Sequence, residues 1–291
     1  MSDNTFPSYK VAAIQTEPEI GNKQKNVSHM VEQIRTAAGN GALLTVLPEL
    51  ANTGYVFNSR EEAFSLAETI PDGETCKVIG DLARELKIYI VFGITERDGN
   101  CLYNSAAFFG PDGFIGKYRK NHLWCDENLF FEAGNLGMPV YKTPIGRIGM
   151  LICYDGWFPE LYRLASMQGA DIICTCTNWV PMAGQPENCL AMANILAMGS
   201  AHVNSLNVIC ADRVGTERDQ PFLGQSIVVG PEGWLLAGPA SKSAEEIIYA
   251  DINIKKTRAH RQTNAFNNIV RDRRDDLYDP MLGADMDLTR W

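Results

Sequence analysis

Short apolar runs rich in Val and Ile alternate along this chain with stretches whose apolar residues recur every three or four positions. The runs at 9–15, 43–47, 88–94, 105–109, 148–153, 172–177, 208–211, 227–229 and 247–252 have the length and β-branched content of buried strands. The stretches at 27–38, 76–86, 159–167 and 189–203 have the spacing that lets a helix bury one face. Their alternation predicts an α/β fold. Two related turns, Gly110-Pro111-Asp112-Gly113 and Gly230-Pro231-Glu232-Gly233, each join strand-like runs through a hairpin with Pro preset for the bend. Hairpins inside the sheets predict mixed rather than purely parallel pairing, and the repeated turn marks an internal pseudo-repeat.

No Pro/Ser-rich linker or charge block divides the 291 residues, so a single domain is expected over 1–291. Its core would run from about 8 to 255, followed by a tail at 256–291. From Arg258 onward Phe266, Ile269, Tyr278, Met281 and Leu282 follow no regular core pattern. Such a tail reads equally as crossing to a partner subunit or as packing on its own domain. A net charge of -9 argues against nucleic acid or an anionic membrane as partner and leaves a small molecule. Residues 1–7 are polar and no apolar run is long enough to span a membrane, so a cytoplasmic location is expected.

Eight cysteines without a dense framework read as reduced thiols. Cys174 and Cys176 point to one face of a strand, but no second Cys/His pair at ligand spacing accompanies them and the four histidines are scattered. No metal is expected. A Gly-x-Ser-x-Gly elbow, a phosphate-binding Walker loop and a dinucleotide fingerprint are all missing, which removes those hydrolase and nucleotide-binding classes.

Candidate chemistry collects at strand ends. In Gly149-Met-Leu-Ile-Cys-Tyr-Asp-Gly-Trp-Phe-Pro-Glu160, Cys153 stands where an apolar strand yields to an amphipathic helix. There the helix opening is expected to lower the thiol pKa, and Cys153 to be the cysteine alkylated fastest. Val46-Leu47-Pro48-Glu49-Leu50 ends another strand in a carboxylate, and Tyr118-Arg119-Lys120-Asn121-His122-Leu123 follows a strand with a lysine. Taken singly, these could be an inert core thiol, a turn or cap residue, and part of a solvated basic face. Their joint occurrence is what points to catalysis.

Together they resemble the Glu, Lys, Cys triad of the nitrilase superfamily, the carbon–nitrogen hydrolases. The resemblance runs from Val11-Ala12-Ala13-Ile14-Gln15 and the segment 21–26 through Gly41-Ala42, Pro48-Glu49, Gly54-Tyr55, Tyr118-Arg119-Lys120 and Cys153-Tyr154-Asp155. It continues to Arg213-Val214-Gly215, Gly230-Pro231-Glu232-Gly233 and Arg273-Arg274-Asp275-Asp276-Leu277-Tyr278. It implies a four-layer αββα sandwich, two sheets face to face with helices outside, assembled as a homodimer or higher homo-oligomer and needing no cofactor.

In the roles so implied, Cys153 attacks carbon and Glu49 relays the proton. Lys120, kept cationic by carboxylates, shares the oxyanion with the Tyr154 backbone N–H. Glu127 resembles the family's second glutamate, with Glu132 as its rival. Tyr55, Trp157, Asn178 and Trp179 would form the pocket wall. Trp157-Phe158-Pro159-Glu160 looks like the N-carbamoylputrescine amidohydrolase branch, whereas His202-Val203-Asn204 departs from relatives that place Glu before Asn. The expected reaction is hydrolysis of a small amide or N-carbamoyl compound through a Cys thioester, with release of ammonia.

A true nitrilase would use the same triad. A catalytically silent binding subunit would not need it, and a thiol redox protein would want the Cys-x-x-Cys that is missing. Arg is absent at Gly156 and Trp157, and Glu187 follows Trp179. Carbamoyl amines or neutral amides are therefore expected to be preferred over ω-amides of dicarboxylic acids, Arg213 being the remaining group that could meet a carboxylate. Glu49→Gln and Lys120→Ala are expected to leave folding nearly intact.

Overall fold

The computed structural model describes residues 8–186 and 189–278. Its strands are β1 (Ser8–Gln15), β2 (Ala42–Val46), β3 (Tyr89–Asp98), β4 (Cys101–Gly110), β5 (Gly113–Arg119), β6 (Val140–Thr143) and β7 (Gly146–Ile152). They continue with β8 (Ile172–Cys176), β9 (Asn207–Ala211), β10 (Thr216–Glu217), β11 (Gln220–Pro221), β12 (Ile227–Val229), β13 (Leu235–Ala237) and β14 (Glu246–Asn253). The helices are α1 (Lys23–Gly39), α2 (Arg60–Leu66), α3 (Glu74–Leu86), α4 (Glu127–Phe130), α5 (Pro159–Met167), α6 (Met192–Asn204), α7 (Ile254–His260) and α8 (Asp275–Tyr278).

Two six-stranded sheets form, in the orders β14-β1-β2-β3-β4-β5 and β13-β12-β9-β8-β7-β6. In the first, β1, β2 and β3 run parallel, the β4–β5 hairpin closes one side and β14 lies antiparallel on the other. The second repeats this plan with β7, β8 and β9 parallel, β12–β13 as the hairpin and β6 as the antiparallel edge. Both Gly-Pro-x-Gly turns sit in the corresponding hairpin, so the pseudo-repeat is a repeat of topology.

The alternation of strand side chains sorts them into layers. Val11 and Ala13 of β1, Val91 of β3 and Phe108 of β4 join Ile148, Cys174, Ile209 and Val228 in a core between the sheets. Their sequence neighbours Ala12, Ile14, Ile90, Phe92 and Phe109 point the other way, onto Met30, Ile34 and Ala37 of α1 and Ile79, Leu82 and Ala83 of α3. On the second sheet's outer side lie Leu161, Tyr162 and Ala165 of α5 and Ala197 and Ala201 of α6. Each fully buried Ile, Leu or Phe contributes roughly 1.5–3 kcal/mol. The result is the four-layer αββα sandwich.

Helix α1 begins at Lys23, ahead of its apolar pattern, because the Asn22 side chain caps it by accepting the Lys25 N–H at 3.4 Å. At the other end, α7 follows β14 directly, so the expected core boundary falls inside a helix. Arg258 and Arg261 reach back to the buried Asp171 at 2.8 and 3.4 Å, tying this stretch to its own chain. Phe266 is 84% exposed, while Met281 and Leu282 lie outside the described residues. Among the described residues, no helix is long and apolar enough to cross a membrane.

Candidate active site

Four of the groups singled out for chemistry sit just past the carboxyl end of a strand: Glu49 after β2, Lys120 after β5, Cys153 after β7 and Asn178 after β8. Because β2 packs across β8 and β9, these ends converge between the two sheets. The Glu49 loop lies flat on β3, where the Gly93 N–H donates to the Pro48 carbonyl and Gly93 O accepts from Ala51, both at 3.0 Å. Only glycine allows that approach, since a Cβ there would stand 2.5 Å from Glu49 Cα.

Lys120 is buried with its ammonium between two carboxylates, 2.6 Å from Glu49 Oε1 and 2.6 Å from Glu127 Oε1. Burial alone would discharge it, but Glu127 and Glu49 outweigh that penalty and hold its pKa above the usual lysine value. The lysine is therefore a fixed cation and no part of a solvated face. Glu49 Oε1 also accepts from Asn104 Nδ2 at 2.6 Å, while Oε2 is buried without a partner. Burial raises the Glu49 carboxyl to about 7 against the opposing pull of Lys120. Glu127, on α4, accepts from Tyr55 Oη at 2.6 Å and from the Trp124 N–H at 3.3 Å. Glu132 takes no part: it pairs with Arg60 at 2.7 Å and accepts the Leu102 N–H.

Cys153 differs from its expected state. It heads a 3₁₀ helix, Cys153–Trp157, with a left-handed φ of 45°, and α5 starts only at Pro159. The thiol is half-buried and its pKa is raised well above the ordinary value. Desolvation and the nearby Glu49 outweigh the opposing pull of Lys120. The raised pKa favours the neutral thiol, and Cys125 and Cys189 are more exposed than Cys153. All eight cysteines are unpaired, with Cys174 and Cys176 buried in the core between the sheets.

A narrow slot opens over Cys153, lined by Trp124, Tyr154, Trp157, Asn178, Trp179 and Leu223 among others. Trp157 and Trp179 stand where a pocket wall was expected, although Trp179 is also part of the core. Asn178 has a second task, donating Nδ2 to the Glu49 carbonyl at 2.9 Å and leaving its Oδ1 buried and unpartnered. Tyr55 lines an adjoining cavity with Glu127, which shares Trp124 and Val180 with the slot. Arg213 is not available to a substrate. It is buried, bound to Glu217 at 2.9 Å and to the Pro18 carbonyl at 3.0 Å. Glu187 lies outside the described residues.

Several supporting residues carry no local sequence signal. Buried Asp155 accepts the Ile152 N–H at 3.2 Å, the Tyr118 hydroxyl at 2.7 Å and the His122 N–H at 3.0 Å, joining the Cys153 turn to the Lys120 segment. Glu217 receives the N–H groups of Tyr55 and Val56 at 2.7 and 2.6 Å. Asn104 was equally silent; polarity inside the apolar β4 was its one clue.

The sequence model of the carbon-nitrogen hydrolase family matches residues 10–262. A nitrilase of Pyrococcus abyssi is 42% identical over 270 residues, 92% of this chain and 98% of that one. An omega-amidase of Homo sapiens is 33% identical over 282 residues, 93% of this chain and 97% of that one. The crystal structure of a carbon-nitrogen hydrolase from Helicobacter pylori superposes with a TM-score of 0.85 at 28% identity, covering 96% of this chain and 99% of that chain.

Proposed function

The chain belongs to the carbon–nitrogen hydrolase family, and on that premise we propose that it hydrolyses a small amide or N-carbamoyl compound through an acyl group carried on Cys153. Supporting this most directly is the unpaired Glu49 Oε2, buried on a carboxyl with a pKa of about 7 that acts electrostatically on the Cys153 thiol. A group near neutrality can take a proton and give it back. Glu127 has both oxygens engaged and serves instead to anchor Lys120.

Glu49 accepts the thiol proton as the sulfur bonds to the substrate carbon, and the carbonyl oxygen takes the electron pair. Lys120 Nζ and the Tyr154 N–H stabilise that oxyanion; one such donor is typically worth about a hundredfold or more in turnover. Collapse breaks the C–N bond, Glu49 protonates the leaving ammonia, and a thioester remains. Glu49 then removes a proton from water, which attacks the thioester; the acid departs and the sulfur regains its proton.

The slot's described lining, aromatic and aliphatic with Asn178 and Gln185, offers no cation for a substrate carboxylate, and Arg213 is engaged elsewhere. This favours carbamoyl amines and neutral amides over ω-amides of dicarboxylic acids. Ammonia release from N-carbamoylputrescine, a simple aliphatic amide, succinamate and a nitrile is the test. One of the first two should exceed succinamate by at least about tenfold in kcat/KM, equivalent to about 1.4 kcal/mol; a preference for succinamate would overturn the assignment. The 42% identical nitrilase of Pyrococcus abyssi favours a second reading, a nitrilase working through a thioimidate, and a nitrile turned over fastest would select it. We further propose a homodimer, supported by the exposed apolar side chains Leu164 and Met167 on α5 and Met192, Ile195 and Val203 on α6.

A further inference from the structure

Asn104 is a fully buried polar side chain within the apolar β4, and no step above employs it. It meets two of the reacting groups. The carboxamide Nδ2 donates to Glu49 Oε1 at 2.6 Å, and the backbone carbonyl accepts the Lys120 N–H at 2.8 Å, because β5 lies beside β4 and Lys120 follows it. Lys120 Nζ donates to the same Glu49 Oε1 at 2.6 Å, so Asn104 holds both the base and the stretch of chain that carries the cation. An Asn104 Oδ1 turned toward Glu49 would set acceptor against acceptor, which leaves the carboxamide one workable orientation beside a carboxylate. Oε1 therefore holds two donors, while Oε2 is buried with none.

We propose that Asn104 is a positioning residue: with Lys120 it occupies Glu49 Oε1, so that the proton Glu49 takes and returns is carried on Oε2. The role rests on Glu49 being the base. Lys120 alone does not fix the carboxyl, since its ammonium is shared with Glu127 and the last torsion of a glutamate is soft. A donor also bonds a carboxylate more strongly than a neutral carboxyl, so Asn104 favours the ionised base that burial opposes. Leucine keeps about the same shape without a donor and alanine removes the side chain. Both leave the backbone carbonyl for Lys120.

Infrared difference spectra across a pH titration test this without any knowledge of the substrate. The protonated-carboxyl band that Glu49→Gln removes reports the Glu49 midpoint. The titratable groups within electrostatic reach of Glu49 are Lys120, Glu127, Tyr55, Cys153, Cys176 and Asp212, and all are present in every Asn104 variant. In Asn104→Leu and Asn104→Ala the midpoint should rise by about one pH unit, a tenfold change in the proton equilibrium. The acid limb of kcat/KM should move with it. An unmoved or lowered midpoint in either folded variant would overturn the proposal, even where the rate falls, because a slower enzyme at a fixed midpoint is what loosened packing alone would give. Should neither variant fold, Asn104→Ser decides, its hydroxyl falling short of Glu49: a raised midpoint supports the role and an unmoved one overturns it. A midpoint that rises while the acid limb of kcat/KM stays fixed, or in a protein whose parent hydrolyses nothing, would count against the proposed function and leave the hold of Asn104 on Glu49 standing.

Discussion

At the residue scale, Glu49, Lys120 and Cys153 were legible because three unlike reactive groups each follow an apolar strand. The state of the thiol was not, since desolvation and carboxylates distant in sequence decide it. Catalysis by a neutral thiol needs Glu49 ionised, so kcat/KM should fall as pH drops through about 7, with that apparent pKa belonging to the coupled cluster of Glu49, Lys120, Glu127 and Cys153. Lys120, held cationic above its usual range, should add no alkaline limb below pH 10. A pH–rate profile flat between 5 and 8 would contradict this. Lys120→Ala, from sequence expected to fold nearly normally, strands two buried carboxylates and should lose about 3–5 kcal/mol by denaturant unfolding near neutral pH. Protonating those carboxylates relieves the strain, so the deficit should shrink as pH falls. Glu127→Gln should lower kcat by orders of magnitude where Glu132→Gln, which disturbs only the Arg60 pair, changes it little.

Among elements, the long buried strands and the helices with three or four inward side chains were readable from periodicity, and α5 was found to the residue. Helix α2 was not, because Ala63 is its one buried residue; its signal was the Ser59 side chain accepting the Glu62 N–H at 3.2 Å. Strands β10, β11 and β13 are too short to show alternation. Gly93 looks like an ordinary weak point in an apolar strand, yet the Glu49 loop rests on its bare Cα. Gly93→Ala should push that loop away, costing about 1–3 kcal/mol in unfolding free energy. Turnover should fall about a hundredfold or more, since a displacement of about 1 Å at a reacting group has that effect. Parent-like kcat in a folded Gly93→Ala protein would show that the loop's contact with β3 does not position Glu49.

For the whole molecule, the two Gly-Pro-x-Gly hairpins disclosed the repeat, but the face-to-face pairing of the sheets came from the family resemblance; periodicity says which residues are buried and not against what. The apolar side chains exposed on α5 and α6 should lie in a subunit interface, so light scattering should report a dimer or larger species that Leu164→Glu with Ile195→Glu converts to monomer. A monomer in the unmodified protein would remove the proposed homodimer. The acyl-enzyme itself is tested most directly by rapid acid quench during turnover of a neutral amide, followed by intact mass and peptide mapping. The expected result is a mass increase equal to the substrate less ammonia, located on Cys153, with adduct and ammonia release both absent from Cys153→Ala. Ammonia release that survives in Cys153→Ala, or an acyl group mapped to another residue, would contradict it.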